Sequence, residues 1–399
     1  MTAAAHSILS RHAPILERLS SALRSEQSAH AYLFTGPGGI GKTAIALEYA
    51  RMLVCDEDGP SACNRCPQCV ASRNLQHPDL HLVFPLPPGS LKKSRSAGDS
   101  DEIDDSKVAD AIADRLGALA ADPFAPTGID LSERKAGGAS GRARLANVVI
   151  RLPQIRDLLR KVARKGYQAR RKAYVILQAD RMNVQAQNAL LKALEEPPPD
   201  GYFLLVCERP SELLPTIRSR CQAVRVGRLE SGVITDALVS EGIDPKQAEV
   251  AAKLANGNYV RARDLAARDL LELQSDVINF LAESARCNPL DLPDAVGRAL
   301  EQIEATDRSY FDFLGLFLRD AALCGTLPDL DSQHVVFSGL RGRIQRVASS
   351  YPGADFQRAI AAVDQSAAYV ALGYTPELVL TALAIRIHAA LGTRVSGAG

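Results

Sequence analysis

The stretch AYLFTGPGGIGKTAIALEYARMLV, residues 31–54, decides the fold. A short apolar run gives way to a glycine-rich turn and then to a helical pattern, the context that a phosphate-binding loop requires. Within it, Gly36, Pro37, Gly38, Gly39, Ile40, Gly41, Lys42 and Thr43 spell G-x-x-x-x-G-K-T. The glycines let the backbone curl so that its N–H groups face phosphates at a helix N-terminus. Lys42 is predicted to reach the β- and γ-phosphates of bound ATP or ADP, and Thr43 to ligate Mg²⁺. A purely structural glycine turn is the competing reading, and the strand and helix around the motif weigh against it.

Hydrolysis asks for more, because Mg²⁺ also needs a carboxylate, usually at the tip of a neighbouring strand, and the attacking water needs orienting. The candidate strand lies in AYVILQADRMNVQAQNALLKALEEPP, residues 173–198, and ends at Leu177 and Gln178. Neither side chain holds a metal. Asp180 comes two residues later, where a water-mediated metal contact, an N-cap for the helix after Asn183 and a loop contact are all open.

Working outward, 399 residues exceed one ordinary core, and two or three domains are expected. The 47 basic and 46 acidic residues nearly cancel, so any nucleic-acid surface must be local. No signal peptide and no run of eighteen apolar residues is present, which predicts a cytoplasmic protein without a membrane partner. Four of the eight cysteines, Cys55, Cys63, Cys66 and Cys69, are spaced C-x7-C-x2-C-x2-C. In a reducing compartment this set reads as a structural Zn²⁺ site, since four thiolates leave no open position. His77 and His81 lie nearby and read as fold residues.

Residues 12–30 have the pattern of an amphipathic helix with Ile15, Leu16, Leu19 and Leu23 on one side, and HPDLHLVFPL suggests a strand. Residues 86–149 are mixed-charge and small-residue in character, a flexible surface insertion with one short helix through Val108, Ile112, Leu116 and Leu119. From Val149, helices alternate with the strands AYVIL and YFLLV, which argues for a parallel sheet covered on both faces. Beyond about residue 228 only helical patterns follow. Nine basic residues between Arg151 and Lys172 stand against one acidic residue, Asp157. Arg156, Arg160, Lys161 and Arg164 recur at helical spacing as a candidate DNA-phosphate face. A solvated helix balanced by the acidic patch at 99–105 reads equally well.

HAYLFTGPGGIGKT, the four-cysteine insert followed by HPDL, QIR at 154–156, ADRM, NALLKALEEPP, LLPTIRSRC and GNYVRA together resemble the clamp-loader ATPases of the AAA+ superfamily. The likeness is closest to their delta-prime branch in bacterial DNA polymerase III, and it covers roughly residues 10–270 outside the insertion. It implies an α/β P-loop NTPase domain at 1–227 with a zinc insert at 55–69 and the insertion at 86–149. A small helical lid at 228–280 and an all-α collar or oligomerisation domain at 281–399 would follow.

Active ATPases of the family carry an Asp-Glu pair eleven and ten residues before the Asn of NALLK, which here are Leu177 and Gln178. The resemblance therefore implies a stator that binds ATP and hydrolyses it poorly. Cys207 and Glu208 stand where the family's sensor strand closes in threonine, and a carboxylate there would repel a γ-phosphate. Arg220 of Ser219-Arg220-Cys221 would be an arginine finger reaching into a neighbouring subunit's site, and Arg261 the lid arginine on the bound nucleotide, with a solvent-facing arginine the competing reading for each. The implied hetero-oligomer contains gamma/tau motor subunits, a delta subunit, the sliding clamp and primed DNA. Two other readings compete: a gamma/tau-like motor in which Asp180 has taken over metal binding, and a DNA-binding regulator that uses zinc and nucleotide only structurally.

Overall fold

The computed structural model describes residues 3–86, 106–125, 148–164, 166, 168–268, 270–303, 308–327, 335–337 and 340–392. They form two compact units, residues 1–241 with 257–260 and residues 242–256 with 261–399.

The first unit is built on five parallel strands, β1 (Ala31–Thr35), β2 (Leu80–Val83), β3 (Lys172–Ile176), β4 (Gly201–Cys207) and β5 (Gln222–Arg225), in the order β2-β3-β4-β1-β5. The alternation of side chains along each strand divides the apolar residues between two faces. Leu33, Tyr174, Ile176, Phe203 and Leu205 pack with the helices Leu152–Val162 and Val184–Glu195. On the other face the helix Lys42–Val54 lies against the sheet, where Tyr32 meets Tyr49 edge-on at 5.5 Å. Burial on both sides explains why these strands read as continuous apolar runs rather than alternating ones.

β5 went unread in the sequence because QAVR is short and half polar, as an edge strand is. At the N-terminus the helix expected over residues 12–30 runs from Ala13 to Arg24, and an unread helix, Ala3–Arg11, precedes it. Pro14 opens the second, where its missing N–H costs nothing. The first unit extends past the expected boundary at 227 because the helix Ser231–Ser240 packs on the helix Ala3–Arg11.

The insertion leaves and re-enters the fold at one point, where Leu86 and Val149 exchange backbone hydrogen bonds of 3.2 and 3.3 Å. Its described part is the helix Ser106–Ala121 and the turn that follows to Ala125. Residues 87–105, with their acidic patch, and 126–147 lie outside the described residues.

The second unit is helical throughout its described residues, as expected. Its core gathers Val277, Phe280, Phe313, Leu314, Phe317, Leu380 and Ile387, all buried. Phe313 stacks on Phe337 at 4.3 Å, and the wholly buried Asp320 accepts a hydrogen bond from Phe337 N at 3.1 Å. The helix Leu270–Arg286 runs unbroken through position 280, where a lid was expected to end.

Candidate nucleotide site

A cavity of about 320 Å³ lies at the C-terminal ends of the strands, the position where open α/β sheets bind ligands. Gly38, Gly39, Gly41, Lys42 and Thr43 line it, facing Gln178, Cys207, Glu208 and Asn258. Two loop positions favour glycine. Gly39 has φ +65°, and a Cβ there would stand 1.7 Å from Asn258 Oδ1, while one on Gly36 would stand 2.4 Å from the Val226 carbonyl. Tyr259 N donates to Gly39 O at 2.9 Å, and His12 Nε2 lies 2.8 Å from Ile40 O. The helix Lys42–Val54 begins at Gly41 with no side-chain cap and no acidic residue in its first turn, so its N-terminal dipole is open to an anion. These features fit a polyphosphate.

Lys42 is 5% exposed and donates to Gly36 O at 2.9 Å and to Pro37 O. Its Nζ lies 3.9 Å from Glu208 Oε1. Burial holds the Lys42 pKa below the usual lysine range, and the negative charge of Glu208 works against that shift. The Glu208 carboxylate also leans over the loop, 3.0 Å from where a Cβ on Gly38 would stand. It is thus placed between the loop and the end of β4.

The end of β3 offers no metal ligand. Leu177 is wholly buried and donates its N–H to Val83 O at 2.8 Å, and Gln178 turns the chain in the left-handed region at φ +50°. Asp180 then sits in a short 3-10 turn, where Oδ1 accepts from Glu208 N at 3.3 Å and Oδ2 lies 3.6 Å from Arg209 Nε. Its side chain is 5% exposed. The loop contact open to Asp180 is formed, and Asn183, not Asp180, caps the next helix by accepting from Ala186 N at 2.8 Å.

Arg220 ends the helix Pro215–Arg220, 2.7 Å from Glu195 Oε1 and donating to Thr216 O at 3.0 Å. Gln187, 3% exposed, fixes the approach to this helix by accepting from Leu214 N at 2.8 Å and donating to Glu212 O at 3.2 Å. Arg261 belongs to the second unit and pairs there with Asp312.

The four clustered cysteines bring their sulfurs within 4.8 Å of one another. Cys55 and Cys66 are 4.0 Å apart and Cys63 and Cys69 3.8 Å. Tetrahedral Zn–S bonds of about 2.3 Å place sulfurs about 3.8 Å apart, whereas a disulfide needs about 2 Å. Backbone N–H groups of Glu57, Cys63, Cys66 and Cys69 point at these sulfurs from 3.3 to 3.5 Å, which favours thiolates. The donor set fits zinc. Neither His77, bonded to Gln68, nor His81, stacked on Tyr174, belongs to it.

On the basic helix, Asp157 pairs with Arg160 at 3.3 Å and Lys161 at 2.8 Å. Arg170 and Arg171 pair with Asp58 of the cysteine module, and Lys172 is buried, donating to the carbonyls of Lys161 and Arg164. Arg156 and Arg164 are exposed and have no carboxylate partner among the described residues. Two further residues at the nucleotide cavity escaped the sequence reading. Phe124, from the insertion, lines it and meets Tyr259 edge-on at 5.0 Å, and Asn258 sits in GNYVRA, which was read for its arginine. A lone phenylalanine in a low-complexity stretch gives no signal.

The parallel sheet, the glycine loop at its C-terminal edge and the helical second unit define an α/β P-loop NTPase fold. A family model described as DNA polymerase III, delta subunit matches residues 11–230, and the chain belongs to that family. It is 29% identical over 255 residues to DNA polymerase III subunit delta-prime of Bacillus subtilis, covering 64% of this chain and 59% of the relative. It is 33% identical over 198 residues to the delta-prime subunit of Pseudomonas aeruginosa, covering 49% and 42%. The tau subunit of Bacillus subtilis is 28% identical over 272 residues, covering 67% and 36%. The matches thus span less than two thirds of each relative's length. No described helix is long and apolar enough to cross a membrane.

Proposed function

We propose that this chain is a delta-prime-like subunit of the DNA polymerase III clamp loader, which binds nucleotide, hydrolyses it weakly or not at all, and completes the ATP site of a neighbouring subunit. The observation that carries this reading is the end of β3, where Leu177 is buried, Gln178 is neutral and Asp180 is committed to Glu208 N and Arg209. Without a carboxylate free to hold Mg²⁺, the loop and Lys42 bind phosphates but do not stabilise the charge that builds during transfer. The same commitments weigh against a gamma/tau-like motor using Asp180.

Arg220, at a helix end on the surface, is the group offered in trans, with Thr43 completing the Mg²⁺ shell and Arg261 touching the nucleotide once its pair with Asp312 opens. Zn²⁺ on Cys55, Cys63, Cys66 and Cys69 holds the module beside the sheet, and Arg156 and Arg164, with Arg160 and Lys161, face DNA phosphates. On the second unit, Leu378 and Ile385 sit seven residues apart on the last helix and are 70% and 54% exposed, which supports an apolar contact with a neighbouring subunit. In this reading the neighbours are gamma/tau, delta and the clamp, in a cytoplasmic hetero-oligomer. The test is ATP turnover by the purified chain, alone and mixed with the motor subunit. The reading expects a nearly inactive isolated chain and a mixture whose turnover Arg220→Ala lowers. Robust turnover by the isolated chain, abolished by Lys42→Ala, would sink it.

A further inference from the structure

The nucleotide reading leaves open which nucleotide the loop holds, and the groups around Lys42 bear on that choice. Three acceptors already surround this ammonium: the carbonyls of Gly36 and Pro37 and, at 3.9 Å, the Glu208 carboxylate. Glu208 Oε1 also stands 3.0 Å from the Cβ position of Gly38, on the cavity side of the loop. The Glu208 backbone is held by the buried Asp180, whose own carboxylate adds negative charge on the same side.

We propose, on the basis of the nucleotide site argued above, that this pocket selects a nucleoside diphosphate over a triphosphate and that Glu208 is the residue that sets the preference. The loop N–H groups and the uncapped helix N-terminus serve the inner phosphates whatever the nucleotide. A third phosphate has to draw Lys42 away from its present acceptors and bring its extra charge into the field of the Glu208 carboxylate. Like charges a few ångströms apart in a partly buried site repel strongly. Mg²⁺ normally offsets such charge, and here the strand end supplies no carboxylate to hold it, since Leu177 is buried and Asp180 is engaged. Glu208 is itself 51% exposed, so solvent screens part of the repulsion and the preference is a modest one.

The experiment is calorimetric titration of the full chain with Mg²⁺-ADP and with Mg²⁺-ATP, for the wild type and for Glu208→Gln, which keeps the shape and removes the charge. The expected result is ADP bound at least about tenfold more tightly than ATP by the wild type, with the difference falling below about threefold in the variant, mainly through tighter ATP binding. Equal wild-type affinities, or a preference for ATP, overturn the inference and leave the nucleotide site standing. A preference that Glu208→Gln does not change also overturns it, because another group then sets the selectivity. Binding by the variant alone overturns it too, since Glu208 then blocks the site rather than selecting within it. Failure of both proteins to bind either nucleotide overturns the site reading and the inference together.

Discussion

The Arg220 guanidinium rests 2.7 Å from the Glu195 carboxylate, which joins the end of one surface helix to the end of another. Both side chains are partly exposed, at 34% and 48%. An exposed pair of this kind contributes about 0–1 kcal/mol, little against the demand of a transition state. Glu195→Ala is therefore expected to leave Tm almost unchanged and to alter turnover of the motor-subunit mixture by less than about fivefold. If Arg220 is the finger of the proposed reading, Arg220→Ala lowers that turnover by about 10³ or more. Steady-state assays of the two variants side by side check both.

Metal analysis of the purified chain is expected to find a single zinc ion, lost by chelation or in Cys66→Ser, with a fall in Tm because metal binding and folding of the module are linked. Cys207 and Cys221 are buried, which pushes both thiols up to about 12. At neutral pH they remain thiols and are expected to resist alkylation in the native chain, with or without metal. Mass mapping after brief labelling distinguishes these from the cluster cysteines, which become reactive once zinc is removed.

If the basic helix tracks DNA, Arg156→Ala and Arg164→Ala should each weaken binding uniformly across sequences. Each should also reduce the slope of log affinity against log salt by about 0.9. Lys172→Ala is expected to act differently, lowering stability rather than the salt slope. Its buried ammonium caps the carbonyls at the end of that helix. Fluorescence anisotropy in a salt series separates the two behaviours.

His81 stacks on Tyr174 at 5.5 Å, and burial pushes its pKa down to about 4. The unfolded imidazole takes a proton near its ordinary value of 6.5, so between these pH values the unfolded chain binds more protons than the folded one. Stability is thus expected to fall as pH drops from about 6.5 towards 4, with His81 contributing about 1–3 kcal/mol of that loss. His77, also lowered by burial, acts in the same direction. Denaturation of the wild type and His81→Gln across this range should show a shallower dependence in the variant.

Much of the first unit was legible because its signals are local. The phosphate loop, the apolar strands and the cysteine spacing depend on residues close together in the chain, and the sheet, the glycine cradle and the sulfur cluster appear where those signals stand. β5 and the first helix were missed for the opposite reason. QAVR becomes a strand only by pairing with β1, and Ala3–Arg11 gains its burial from the distant helix Ser231–Ser240. The insertion looked like surface, yet Pro123, Phe124 and Ala125 line the nucleotide cavity. Low-complexity composition describes the majority of a segment and hides the few residues that pack.

By itself the sequence determined which groups are present and which are missing: a loop for phosphates, four thiolates at metal spacing, and leucine and glutamine at the strand end where carboxylates would serve catalysis. Tertiary structure alone decided what those groups face. Asp180 is turned by the left-handed Gln178 towards Glu208 N and Arg209, Glu208 is brought to Lys42 by the pairing of β4 beside β1, and Arg220 is set against Glu195. The physical reason is that a charge acts through distance and burial, and both are set by which strands and helices pack together rather than by separation along the chain.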